Sequence, residues 1–150
     1  MEACALKIKT SNTAFRILCI YRPPTSNFLN FQCLLQSTLT QLYSNTTNLI
    51  ICGDINIDYL KTSNYKTQLD YLLTSYNLST AVDFPTRITD NTSTAIDNIF
   101  IDKTKNNDYT IEPVINGLSD HDAQVLVLHN IKIINQETPL DRKRLKTATL

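Results

Sequence analysis

The stretch that decides the fold is LIICGDINID, residues 49–58. An apolar run goes straight into Gly53, and two polar side chains, Asp54 and Asn56, follow two apart. NLIICG (48–53) reads as a strand apolar on both faces, the mark of a central strand covered on both sides. Side chains two apart on an extended chain point to the same side. Asp54 and Asn56 would then stand together at a sheet rim, with Ile55 and Ile57 turned into the packing. Gly53 would leave room for a ligand to approach. An ordinary turn explains the same letters, because Asp and Asn are common turn residues. The weight therefore falls on what the rest of the chain supplies.

Before that strand, CALKIK (4–9) alternates as a half-buried strand does, and FRILCIY (15–21) is a stronger strand that must leave its ladder at Pro23-Pro24. Ser26 or Asn27 can cap a helix whose apolar stripe is Phe28, Phe31, Leu35, Leu39 and Leu42. After the strand, Ser63 or Asn64 caps a second helix with the stripe Tyr65, Leu69, Leu72, Leu73 and Tyr76. Residues 79–94 are rich in Thr, Ser, Asn and Asp and read mostly as loop. AIDNIFI (95–101), YTIEPVI (109–115) and AQVLVLHN (123–130) read as strands, the middle one at an edge because of Pro113. The order of elements predicts a mixed α/β (α+β) layer, not a bundle or an all-β barrel. One domain over 1–130 and a polar tail or linker over 131–150 are expected.

The bulk properties narrow the function classes. Apolar residues make up 42% of the 150, enough to build a core. Basic and acidic residues balance at 14 each, so no whole-chain charge draws the protein to nucleic acid or to an anionic membrane. A local patch or a metal could still do so. No secretory leader is visible, and no apolar run approaches the roughly 18 residues that span a bilayer. The expectation is an intracellular protein with no membrane partner. Cys4, Cys19, Cys33 and Cys52 show no C-x-x-C spacing and read as reduced structural residues.

Two further features bear on chemistry. Asp97 lies in a strand between Ile96 and Ile99, where a carboxylate is costly unless it is paired or on a solvated face. SDHD (119–122) is a polar knot just before the strand at 123 and contains His121, one of two histidines. His129, at a strand end, reads as incidental. Asp54, Asn56, Asp97 and His121 all fall at or beside strand ends. As a set they suit phosphoester hydrolysis: an acid to position or activate water, an amide for a phosphate oxygen, and an oriented imidazole facing the developing charge.

In this order, G-D-x-N, then I-D-x-I-F, then S-D-H resemble the exonuclease/endonuclease/phosphatase superfamily. YRPP (21–24) is similar to its Tyr-x-Pro segment, and FPTRIT (84–89) followed by TAIDNIF resembles the endonuclease domains of non-LTR (LINE-like) retrotransposons. The resemblance covers roughly residues 4–129. It implies two mixed β-sheets packed face to face with helices outside, a four-layer sandwich of which this chain is the C-terminal part. It also implies that Asp54 activates water, Asn56 binds phosphate, and His121 is oriented by Asp97. Tyr21 and Arg87 would contact substrate, and Asp120 would serve metal binding or the leaving group. Magnesium, with manganese as a substitute, is the implied cofactor. DNA and the reverse transcriptase region of the same polyprotein are the implied partners, in the nucleus for an intact element.

One departure stands out. The family's N-terminal Asn strand and metal-binding Glu have no counterpart before YRPP, and Glu2 does not match that motif. An incomplete carboxylate set holds magnesium poorly. The expectation is a truncated endonuclease, inactive as it stands. The alternatives are a phosphatase of the same superfamily or a catalytically dead binding remnant. The basic run Arg142, Lys143, Arg144 and Lys146 reads as solvated linker, or as a contact to DNA phosphates.

Overall fold

The computed structural model describes residues 1–10, 13–44, 47–115, 117–129 and 142–144. Strands β1 (Glu2–Lys9) and β2 (Ala14–Tyr21) form an antiparallel pair, and the chain leaves the ladder at the two prolines. Helix α1 (Phe28–Leu42) starts at Asn27, whose side chain accepts the Asn30 N–H at 3.0 Å. Phe28, Phe31, Leu35 and Leu39 are its buried stripe. The helix crosses over to β3 (Thr47–Asp54), which pairs parallel to β2. A crossover helix between parallel neighbours is what that connection demands.

Helix α2 (Asn64–Thr74) starts at Ser63, whose hydroxyl accepts the Lys66 N–H at 3.1 Å. Leu69, Leu72 and Leu73 are buried, while Tyr65 stays half exposed and stacks on Phe28 with ring centroids 4.5 Å apart. The Thr- and Ser-rich stretch that follows is less loop-like than its composition predicts. It holds three two-residue strands, β4 (Ser79–Thr80), β5 (Arg87–Ile88) and β6 (Ser93–Thr94). Then come β7 (Asp97–Ile101), β8 (Tyr109–Val114) and β9 (Ala123–Leu128). β5 and β6 pair with each other as a short hairpin, and β4 pairs with β7, ladders too short for composition to report. Within the stretch read as a polar tail, β10 (Arg142–Arg144) pairs antiparallel to β1, with Cys4 opposite Arg144. The open edge of β1 offers backbone groups to any extended segment, so side-chain pattern does not announce that strand. Lys146 and the rest of the tail lie outside the described residues.

The main sheet runs β10-β1-β2-β3-β7-β4, and β8 with β9 makes a second, two-stranded sheet. Alternate residues of the main strands serve two faces. Leu18, Ile20, Leu49, Ile51 and Phe100 pack under α1 and α2. Phe15, Ile50, Ile99 and Ile101 pack on the other side, against Tyr109 and Ile111 of β8 and Leu126 and Leu128 of β9. The layers are therefore helices, mixed sheet and a two-stranded sheet. Among the described residues no helix covers the far side of β8 and β9. Nor is any helix among them long and apolar enough to cross a membrane.

Candidate active site

The end of β3 is built by backbone constraints. Gly53 has φ +135°, and a Cβ there would lie 1.9 Å from the Ile20 carbonyl oxygen. Its bareness serves the close approach of β2, not a ligand. The Arg22 N–H then donates to the Asp54 carbonyl at 2.9 Å, carrying the pairing to the sheet rim. Asp54 and Asn56 do not stay on an extended chain. Asn56 takes φ +50°, and its N–H donates to Asp54 Oδ1 at 2.9 Å, so the two form a side-chain-closed turn. Ile55 and Ile57 are buried, as the alternation requires.

Arg22 pins this turn to the segment after β2. It is 3% exposed; Nη1 donates to the carbonyls of Ile55 (3.1 Å) and Asn56 (3.3 Å), and Nη2 to that of Ser26 (3.2 Å). Its guanidinium lies 5.9 and 5.6 Å from the ring centres of Phe28 and Phe31. The Asn56 amide returns a bond to the Arg22 carbonyl at 2.9 Å. YRPP and GDIN thus form one unit. Burial lowers the Arg22 pKa, and the charges of Tyr65 and Asp54 oppose that shift.

Across the sheet, Asp97 is the antiparallel partner of Asp54. Its Oδ2 lies 2.9 Å from His121 Nδ1 and accepts the Thr86 hydroxyl at 3.0 Å. Thr86 is fully buried, and its Oγ1 also accepts the N–H groups of Ile96 (3.1 Å) and Asp97 (3.0 Å). The ring of His121 arrives because two segments zip together. Ile88 N–H donates to the Asp120 carbonyl at 2.9 Å, and Asp122 N–H to that of Thr86 at 2.8 Å. Ser119 Oγ accepts the His121 N–H at 3.1 Å, closing the SDHD knot.

Asp54, Asp97 and His121 offer ligand atoms that all lie within 4.8 Å of one another. Burial raises the Asp54 pKa above the usual carboxylate range, and the Asp97 charge adds to this; the Asn56 N–H and His121 pull the other way. Tyr21 ends β2 at the same rim, 40% exposed, one residue before Arg22. Asp120 and Arg87 are joined to each other, Nε to Oδ2 at 2.6 Å, on the surface. Hydrogen bonding to Arg87 lowers the Asp120 pKa below the ordinary value. Asp120 is not in the close group of ligand atoms found among the described residues.

A hard divalent cation prefers carboxylate oxygens and water. Asp54 has one oxygen engaged by Asn56, and Asp97 one engaged by Thr86 and His121. Each carries a second carboxylate oxygen, so the donor set fits a magnesium- or manganese-sized ion completed by water or phosphate. Two residues essential to this geometry escaped the reading of the sequence. Thr86 is one threonine in a Thr-rich segment, and Arg22 is a lone cation before two prolines. The only signal was that Asp97 needed a partner.

A mixed sheet under two helices, with a carboxylate–imidazole pair at its rim, agrees with the exonuclease/endonuclease/phosphatase superfamily, which the family match and the similar structures support. The endonuclease domain of TRAS1, a telomere-specific non-LTR retrotransposon, is similar in structure with a TM-score of 0.73 and 16% identity over 85% of this chain and 64% of that one. A 3'-5' exonuclease from Neisseria meningitidis gives 0.56 and 13% over 83% and 64%. A protein of the endonuclease/exonuclease/phosphatase family from Leptotrichia buccalis gives 0.51 and 17% over 85% and 52%. The chain thus spans just over half to about two-thirds of these structures' length. No curated protein matches the sequence. Residues 15–125 match the sequence profile of the endonuclease-reverse transcriptase family, and the chain belongs to that family.

Proposed function

We propose that the chain carries the hydrolytic centre of a DNA-nicking endonuclease of a non-LTR retrotransposon. The bond broken is a DNA phosphodiester, and the 3′ hydroxyl released primes reverse transcription. The observation that supports this most is the Thr86–Asp97–His121 relay set opposite Asp54 across β3 and β7. The family, whose description joins an endonuclease to a reverse transcriptase, supports DNA and a reverse transcriptase region as partners, and hence a nuclear place of action.

Asp54, with its raised pKa, accepts a proton from the attacking water. Asn56 uses one amide N–H on the Arg22 carbonyl and has a second for a phosphate oxygen. Asp97, itself held by Thr86, orients the His121 imidazole toward the charge that develops on the phosphate. Tyr21 and Arg87 stand at the margin, where they meet the DNA backbone. Asp54 and Asp97 would hold magnesium or manganese. When bound, the ion polarises the phosphate and neutralises its charge.

With two carboxylates the ion is held weakly, so nicking by this chain should be faint or absent, as the incomplete ligand set read from the sequence implies. The test is relaxation of supercoiled plasmid with magnesium or manganese, comparing the chain with His121→Ala. Any nicking should be slow and lost in the variant while circular dichroism is unchanged. Equal nicking by both removes His121 from the chemistry. If neither nicks, a short duplex added with the metal separates the remaining readings. Perturbation of the His121 imidazole resonances means a binding remnant, and none rejects the site. Hydrolysis of a phosphate monoester in place of plasmid would mean a phosphatase.

A further inference from the structure

Cys19 of β2 and Cys52 of β3 are direct partners in the parallel ladder, and their sulfurs lie 3.6 Å apart. Both are half-buried free thiols on the sheet face away from the helices. Adjacent strands sit about 4.8 Å apart, inside the roughly 4.4–6.8 Å Cα separation that a disulfide spans. The register and the 3.6 Å sulfur separation thus place the two thiols within reach of a disulfide. Cys4 of β1, in register with Cys19 on its other side, is exposed, which marks the way in from solvent. Cys33 sits exposed on α1, away from this row.

We infer that Cys19 and Cys52 form a thiol-redox modification site, a vicinal pair that closes to an interstrand disulfide with small-molecule disulfides of the glutathione type. In the first step the Cys19 sulfur, having lost its proton, attacks the small disulfide. A Cys19 mixed disulfide forms, and one small thiolate leaves. In the second step Cys52 loses its proton and attacks the Cys19 sulfur, expelling the second small thiolate. The two protons end on the two released thiols, and the small disulfide has taken both electrons. The new bond lies two residues before Tyr21 on β2 and two before Asp54 on β3. It fixes the spacing of the two strand ends that carry the rim.

The test treats the reduced chain with oxidised glutathione, blocks remaining thiols with iodoacetamide, and maps peptides by mass spectrometry without reduction. A Cys19–Cys52 link is expected, with Cys33 recovered as alkylated thiol or glutathione adduct. In Cys52→Ala the glutathione adduct on Cys19 should accumulate roughly tenfold or more above its level in the parent, because the resolving thiol acts at high effective concentration. Cys33→Ser should close as the parent does. A Cys4–Cys19 link, a link between two chains, or a lasting adduct on Cys19 in the parent would each overturn the assignment. So would equal adduct levels in the parent and Cys52→Ala.

Discussion

The two faces of the same strands do different work. On the helix side of β2, β3 and β7, Leu18, Ile51 and Phe100 are all but inaccessible, sealed by α1 and α2. Along the other face of β2, exposure rises from 5% at Phe15 through half-buried Ile17 and Cys19 to 40% at Tyr21. On β3 the same row order runs from Ile50 through Cys52 to Asp54. Strand alternation allows this division. One face supplies stability through apolar burial, at about 1.5–3 kcal/mol for each large side chain. The other gives up burial toward the rim, where polar groups gather. At their meeting point, Asp54 and Asp97 face each other as ladder partners at some cost, and Ile55, Ile57 and Arg22 anchor the turn that presents Asp54.

The largest expected effect lies where the faces join. Gly53→Ala puts a methyl into the Ile20 carbonyl and should cost about 5 kcal/mol or more, read as loss of the urea-unfolding transition. A mild loss would mean that β2 and β3 can part at the rim. Next, Leu35→Ala on the sealed side should cost about 2–5 kcal/mol, and Ile17→Ala on the open side clearly less. Equal losses would erase the contrast between the faces and mean that β8 and β9 cover Ile17 as fully as the helices cover Leu35. Arg22→Met leaves three carbonyls without their guanidinium donor and should cost about 1–3 kcal/mol. An unchanged unfolding midpoint would show that water replaces those bonds.

The smallest effect should have the opposite sign. Burial raises the Asp54 pKa, so the fold favours its protonated form. That contribution is fully present below the unfolded-state pKa of about 4 and is lost as pH rises through the higher folded-state value. Asp54→Asn keeps an acceptor for the Asn56 N–H and removes the charge. It should match the parent near pH 4 and exceed it in stability near pH 8. Thermal melts at the two pH values check this, and a variant less stable at the higher pH would show that the carboxylate is well accommodated.

Much of this molecule was set by local pattern. Asn27 and Ser63 cap the two helices, the leucine stripes name their buried sides, and Pro23-Pro24 ends β2. These follow from the sequence alone because caps, stripes and breakers act within one or two turns of chain. The chemistry of Asp97 also announced that a partner was required, since an acid among isoleucines is otherwise costly. The resemblance carried by S-D-H had already pointed to His121, 24 residues away, as the partner of Asp97. The other groups were decided by the tertiary structure: Thr86 stands 11 residues from Asp97, and Arg22 reaches carbonyls 33 and 34 residues on. The turn at Asn56, the real reason for Gly53 and the added strand at Arg142–Arg144 belong to the same group. Hydrogen bonds and steric contacts between segments distant in the chain have no period in the sequence, so only the folded arrangement could determine them.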